Sequence, residues 1–199
     1  CLFGICYTIM AQFIMLPSGT TGTNEWHESA IGQGYETLVQ SDDGGTSYIY
    51  EQASANQEIT FDTANPSVAE ADIDFDEQIT VQAHMKADYT FVGLGADVGA
   101  PHTFSHLNIS LTGSGFSLGT ASETITTEDA SYLLYSGLSS AGPTLVSDWD
   151  YEALENCQIK LENTSRPRRF HSLRVTYAYI TVDYTSAATD NATFFGANF

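Results

Sequence analysis

Apolar and polar residues alternate most clearly between positions 73 and 86. One parity is apolar apart from Glu77 and comprises Ile73, Phe75, Ile79, Val81, Ala83 and Met85. The other parity is polar throughout and comprises Asp72, Asp74, Asp76, Gln78, Thr80, Gln82, His84 and Lys86. Alternation with a period of two predicts a β-strand with one buried face and one solvated face.

Further short apolar runs bounded by turn residues predict strands at 35–39, 47–50, 91–94, 106–111, 120–126 and 173–184. The first two are separated by Asp42-Asp43-Gly44-Gly45, which is typical of a turn. The last run has apolar residues on both parities, which favours burial on both faces or at a subunit contact. A helix is predicted only at 147–156, where Ser147 or Asp148 can cap its N-terminus. The pattern predicts an all-β, two-sheet, jelly-roll-like sandwich with one short helix and an extended N-terminal strand arm.

The first sixteen residues carry no charge. They are fewer than the roughly 20 that span a bilayer as a helix, and their aromatic and β-branched residues favour a strand. A free apolar strand is an aggregation hazard, so we expect it to be paired. Either it lies in its own domain's sheet, or it completes a neighbour's sheet by strand addition. A third alternative, a lipid-modified Cys1, is disfavoured by the Leu2 that follows it. We therefore divide the chain into an arm (1–16), a sandwich domain (17–184) and a C-terminal tail (185–199).

The chain is strongly acidic. It has 25 Asp and Glu residues, six Lys and Arg residues and a net charge of −19. Such a charge repels phosphate backbones and disfavours nucleic-acid binding. Five of the six basic residues lie within 160–174, namely Lys160, Arg166, Arg168, Arg169 and Arg174. This basic segment is either a solvated turn or a contact with the acidic face of a neighbouring subunit.

No residue pattern indicates catalysis or a cofactor. Metal binding has only weak candidates. Asp42 and Asp43, or Asp72, Asp74 and Asp76, could bind calcium, but an ordinary turn explains the first group and the solvated face of a strand the second. His102 and His106 are four residues apart, but the loop or strand context after Pro101 disfavours a zinc site. Three cysteines, Cys1, Cys6 and Cys157, give no disulfide framework, although a Cys6–Cys157 bridge stays open. Acceptor patterns for N-glycosylation occur at Asn108, Asn163 and Asn191.

Three blocks of sequence resemble a β-sandwich domain of tailed-phage virion structural proteins and related surface or filament proteins. The first comprises Pro17-Ser18-Gly19, Trp26, Gly34-Tyr35 and Asp42-Asp43-Gly44-Gly45-Thr46-Ser47-Tyr48-Ile49. The second is Trp149-Asp150-Tyr151-Glu152-Ala153-Leu154-Glu155-Asn156. The third is Arg174-Val175-Thr176-Tyr177-Ala178-Tyr179-Ile180-Thr181-Val182-Asp183-Tyr184. The resemblance covers 17–184 in the family's order and implies a structural role, without supplying catalytic residues.

These observations lead to the hypothesis of a non-enzymatic structural subunit of an extracellular or virion-surface assembly, joined to copies of itself by the arm. The expected assembly contacts are Leu2, Phe3, Ile5, Tyr7, Ile9, Phe13, Ile14, Leu16, Arg166, Arg168, Arg169, Phe194, Phe195 and Phe199. Deleting the arm is expected to abolish assembly and to leave a folded body. The alternative is a carbohydrate-binding β-sandwich module, with candidate ring platforms at Trp26, Tyr48, Tyr50, Tyr132 and Tyr135. A glycan hydrolase ranks third.

Overall fold

The computed structural model describes residues 10–22, 24–51, 56–91, 105–113, 116–125, 133–139, 150–164 and 171–187. These residues form two antiparallel sheets that share one apolar core. The predicted all-β, two-sheet sandwich is confirmed.

One sheet, the front sheet, is built around the longest strand, β11. Its members are β1 (Met10–Met15), β3 (His27–Glu28), β4 (Ile49–Tyr50), β6 (Thr80–Phe91), β9 (Leu133–Ser139) and β11 (His171–Thr185). The order is β3-β4-β11-β6-β9. Strand β1 pairs with the C-terminal half of β11, on the edge that β4 occupies further along. One long strand therefore supports β6 on one side and both β1 and β4 on the other.

The second sheet, the back sheet, has the order β2-β5-β10-β7-β8. Its members are β2 (Pro17–Thr21), β5 (Glu58–Thr63), β7 (Ser105–Gly113), β8 (Phe116–Ile125) and β10 (Gln158–Asn163). Only Leu16 separates β1 from β2, so the chain passes from the front sheet to the back sheet at this residue. The carbonyl of Leu16 accepts a hydrogen bond from the amide of Ala64 at 2.8 Å, which ties the crossing to the end of β5.

Two short α-helices and one 3₁₀ turn complete the described elements: α1 (Tyr35–Val39), α2 (Tyr151–Glu155) and the turn at Glu70–Asp72. Helix α1 packs mainly against β2 and β11, and it buries the adjacent side chains Leu38 and Val39. Helix α2 starts after Asp150, whose carboxylate accepts a hydrogen bond from the amide of Ala153 at 2.7 Å.

The core is formed by alternate residues of both sheets, as expected for facing β-sheets. The front sheet contributes Phe13, Met15, Val81, Met85, Ile180 and Val182, and the back sheet contributes Ile59, Phe61, Ile109, Leu111, Ile159 and Leu161. Trp26 is 1% exposed and donates its indole N–H to the carbonyl of Gln57, so it anchors the core and offers no exposed ring platform.

Three local predictions were wrong. Residues 35–39 form helix α1 instead of a strand, and the turn at 42–45 therefore joins a helix to β4. The helix near 151 is capped by Asp150, not by Ser147 or Asp148, because it begins later than expected. The strand predicted at 73–86 begins only at Thr80, although its parity is confirmed by the burial of Ile79, Val81, Ala83 and Met85.

Candidate functional site: the arm edge and the outer face of the front sheet

Strand β1 is the described part of the N-terminal arm. Phe13 and Met15 point into the core and are 6% and 1% exposed, whereas Met10 and Ile14 point outward and are 65% and 48% exposed. Alternation of this kind fixes the register of a strand, because a slip of one residue would exchange its two faces. The arm therefore contributes side chains to the core of the sandwich, and residues on both sides of position 16 belong to the same packed body.

The pairing of β1 with β11 is continuous over six residue pairs, from Met10 opposite Thr185 to Met15 opposite Ile180. The side-chain amide of Gln12 donates to Asp183 at 2.7 Å, and the rings of Phe13 and Tyr184 meet edge to face with centroids 5.6 Å apart. Within the described ranges no strand pairs with the opposite edge of β1. The strand also has no charge, proline or bulge, the devices that usually protect an edge.

Three of the expected arm contacts lie in the described part of the chain. Phe13 is buried, Ile14 is exposed and Leu16 is half-buried at the crossing between sheets. The other expected contacts at the two ends of the chain lie outside the described residues: Leu2, Phe3, Ile5, Tyr7, Ile9, Phe194, Phe195 and Phe199.

Two of the five cations of the basic segment, Lys160 and Arg174, lie among the described residues. Lys160 forms an ion pair with Glu58 at 2.5 Å on the neighbouring strand. Arg174 binds Asp88 through two hydrogen bonds, with Nε 2.8 Å and Nη2 2.5 Å from its oxygens, and Asp88 is 1% exposed. These two cations are therefore matched by carboxylates of the same chain. The remaining three, Arg166, Arg168 and Arg169, lie outside the described residues.

The outer face of the front sheet carries two groups of rings that sequence reasoning recognised only in part. The first is a ridge formed by Tyr177, Tyr179 and His84. The ring centroids of Tyr177 and Tyr179 are 4.7 Å apart, and the rings of Tyr179 and His84 are stacked, with centroids 4.6 Å apart and an interplanar angle of 12°. The second comprises Tyr48, Tyr50 and His27, with centroid separations of 6.1 Å and 5.4 Å along the series. The guanidinium of Arg174 lies 5.2 Å from the Tyr48 ring centroid, between the two groups.

A β-bulge explains why Tyr177 and Tyr179 face outward. Strict alternation along β11 would place them on the same side as Leu173 and Val175, which are buried in the core. The register between β11 and β6 shifts between Val175 and Tyr177, and the extra residue is Thr176. After a bulge the two faces exchange. The hydroxyl of Thr176 is fixed by a 2.7 Å hydrogen bond to the carbonyl of Ser47.

His84 is the most enclosed side chain of the ridge, at 7% exposed. Its Nε2 lies 2.8 Å from the hydroxyl of Thr181. Its Nδ1 is buried and has no hydrogen-bond partner among the described residues. Burial lowers the pKa of His84 below its ordinary value of 6.5, and the nearby carboxylate of Asp183 offsets this only in part. The imidazole is therefore neutral at pH 7 and keeps one unused polar atom.

The loop at 42–47 shows how the weak calcium candidates are engaged. Asp42 forms an ion pair with Lys86. Asp43 accepts backbone N–H bonds from Gly45, Thr46 and Ser47 at 2.9–3.1 Å. Desolvation raises the pKa of Asp43, but the hydrogen bonds from Ser47, Thr46 and Gly45 outweigh it, so the pKa lies below its usual value. No group of three or more His, Cys, Asp or Glu side chains is placed for a metal ion in the described part of the chain.

Asn163, the last residue of β10, and Cys157, which directly precedes β10, are both buried. Asn163 is 0% exposed, and its side-chain oxygen accepts the amide of Gln57 at 2.9 Å, which leaves no room for a glycan in the folded state. Cys157 is a free thiol that is 1% exposed, and burial raises its pKa to about 12. The side chain of Asn108 is not described, and Asn191, Cys1 and Cys6 lie outside the described residues.

No protein-family model matches the chain, and no curated protein is significantly similar to it. Among the described residues, no helix has the length and apolar character that crossing a membrane requires.

Proposed function

We propose that this chain is a non-enzymatic structural subunit of an extracellular assembly, a filament or a virion component, in which each subunit's arm adds to a neighbour's β11. The observation that carries the proposal is the position of β1. It is a short strand that lies at a sheet edge, and it supplies Phe13 and Met15 to the core. The extracellular or virion setting follows from the resemblance of 17–184 to virion sandwich domains.

Exchange of the arm between copies needs no new contact. If β1 of one subunit lies on β11 of the next, all six register pairs and the Gln12–Asp183 hydrogen bond are reproduced between chains. Exchange of an identical element is a low-cost route to association, because the native contacts are kept. If it proceeds head to tail without closing into a ring, the product is a filament.

The connection between β1 and β2 is suited to this exchange. Leu16 alone joins strands that belong to different sheets, so a change in its backbone dihedrals redirects the arm and leaves β2 in place. Short hinges favour exchange, since they restrict how the arm folds back. An arm that is absent would leave the β11 edge open and the core exposed. The body without its arm is therefore expected to be destabilised, which revises the expectation of an independently folded body.

A disulfide experiment distinguishes an exchanged arm from one that stays in its own chain. Gln12 and Asp183 lie directly opposite each other on β1 and β11, a spacing that suits a disulfide. Full-length chains carrying Gln12→Cys are refolded together with chains carrying Asp183→Cys, both in a Cys1→Ser, Cys6→Ser background. We expect disulfide-linked dimers on non-reducing gels, because only an exchanged arm brings these two cysteines together.

The matched control uses the same Asp183→Cys chain mixed with a Thr80→Cys chain. Thr80 faces Asp183 from β6, which is an internal strand of the fold, so this mixture is expected to give no linked dimers. A chain carrying both Gln12→Cys and Asp183→Cys should give a ladder of linked multimers. The proposal is wrong if the double variant forms only the intramolecular disulfide and the mixture of Gln12→Cys and Asp183→Cys chains stays monomeric, because the arm then pairs with β11 of its own chain.

A further inference from the structure

The outer faces of the two sheets differ in chemistry. The front face carries the six ring side chains of the ridge and of the second group: Tyr177, Tyr179, His84, Tyr48, Tyr50 and His27. On the back sheet, the described outward side chains of β5 and β10 are polar or charged: Glu58, Thr60, Asp62, Gln158, Lys160 and Glu162. An exposed face that concentrates aromatic rings is a candidate binding surface.

The charges on the front face are almost balanced. Arg174 is paired with Asp88 and Lys86 with Asp42, which leaves Asp183 as the remaining described charge beside the ridge. No described cation of this face is therefore available for a carboxylate, sulfate or phosphate group. The chain as a whole has a net charge of −19, which repels anionic polymers. Charge thus disfavours an anionic ligand.

The polar groups around the rings favour a ligand rich in hydroxyl groups. The tyrosines are half-buried, with apolar ring faces and polar hydroxyl ends. Gln82, Thr181 and Asp183 lie beside the ridge on β6 and β11 and offer amide, hydroxyl and carboxylate groups.

We propose that the outer face of the front sheet binds a neutral glycan, with the Tyr177–Tyr179–His84 ridge and the Tyr48–Tyr50 group as its two contact areas. Pyranose rings present C–H groups on their faces and hydroxyls at their edges. The C–H groups pack on tyrosine rings, and the hydroxyls exchange hydrogen bonds with Gln82 and Asp183. The site adjoins the arm at Asp183, which accepts the side-chain hydrogen bond from Gln12, whereas its two ring groups lie on β11, β6 and the β3–β4 side and are formed without any residue of β1.

The test is a binding experiment with the full-length protein. A glycan array containing neutral and anionic glycans is followed by isothermal titration with cellohexaose, xylohexaose and hexa-N-acetylchitohexaose. The variants are Tyr177→Ala and Tyr50→Ala, one in each ring group, with Tyr177→Phe as the conservative partner. Thr60→Ala, on the outer face of the back sheet, is the matched control. Circular dichroism melts verify that each variant folds, and if Tyr177→Ala does not, Tyr50→Ala still tests the face.

Binding of at least one neutral glycan is expected, with Kd raised about tenfold by Tyr177→Ala or Tyr50→Ala and unchanged by Thr60→Ala, since each lost ring contact is worth about one tenfold step. Tyr177→Phe should retain most of the affinity. The proposal is overturned if no neutral glycan binds, if only anionic glycans bind, or if the ring variants bind as well as Thr60→Ala. Each result leaves the disulfide experiment on arm exchange unaffected.

Discussion

Replacement of Phe13 by Ala tests whether the arm is part of the core. Phe13 is 6% exposed on β1 and contacts Tyr184 edge to face. Removing a buried phenylalanine side chain costs about 3–5 kcal/mol, of which the ring pair accounts for about 0.5–1.5 kcal/mol. Because β1 is an edge strand whose surroundings can partly collapse, we expect a loss near 3 kcal/mol. A typical domain has a total stability of about 5–15 kcal/mol, so this loss is large.

The adjacent residue provides the control. Ile14 lies on the opposite face of the same strand and is 48% exposed, so Ile14→Ala should cost less than about 1 kcal/mol. Both variants are compared with the parent by urea unfolding, followed through tryptophan fluorescence, to which the buried Trp26 contributes, at a protein concentration below the onset of assembly. A midpoint shift without a change in slope reports stability alone. If Ile14→Ala costs as much as Phe13→Ala, the parity of β1 on β11 is wrong.

Two further predictions follow from buried titratable groups. Burial lowers the pKa of His84 in the folded state, so this side chain takes up a proton in the unfolded chain before it does so in the folded one as the pH falls. The contribution of neutral His84 to the free energy of unfolding is therefore complete above pH 6.5 and is lost as the pH falls towards the folded-state pKa. Urea unfolding between pH 7.5 and 5 should therefore show a decline that is smaller in His84→Gln, and equal slopes would contradict it. Because burial raises the pKa of Cys157 to about 12, this thiol should not react with an aromatic disulfide reagent at pH 8 in a Cys1→Ser, Cys6→Ser background until urea unfolds the protein. Rapid labelling of the folded chain would refute its burial.

The sheet architecture follows from local sequence patterns where alternation is regular. Residues 79–86 alternate without interruption, and the buried parity of β6 is the predicted one. The same pattern extended to Ile73, but Glu77 breaks it, and the chain at 70–77 turns instead. Ile73 remains buried because it forms an isolated bridge to Ser186, a contact between distant parts of the sequence.

Helix α1 is a segment where the strand propensity of the residues predicts the wrong secondary structure. Tyr35, Thr37 and Val39 favour a strand in isolation, and only tertiary packing decides otherwise. Leu38 and Val39 are adjacent and both buried, a combination that a half-exposed strand cannot provide but a helix packed against β2 can. The burial of adjacent residues is a property of the packed fold, and so the sequence alone could not reveal it.

The candidate sites depend on features that have no local signal. The outward turn of Tyr177 and Tyr179 results from the bulge at Thr176, and one inserted residue does not alter the composition of the strand. Sequence reasoning identified Tyr48 and Tyr50 but not the ridge, because the last strand was expected to be buried on both faces or to lie at a subunit contact. The pairing of Arg174 with Asp88 likewise joins residues 86 positions apart.

The single-residue crossing at Leu16 has a mechanical consequence for an assembly joined by exchanged arms. Tension along such an assembly would pull β1 lengthwise against the antiparallel β11, so the six residue pairs are loaded together in shear and are not opened one at a time. The force then passes through Leu16 directly into β2 of the other sheet. Each joint should therefore resist stretching far better than it resists bending or peeling at Met10.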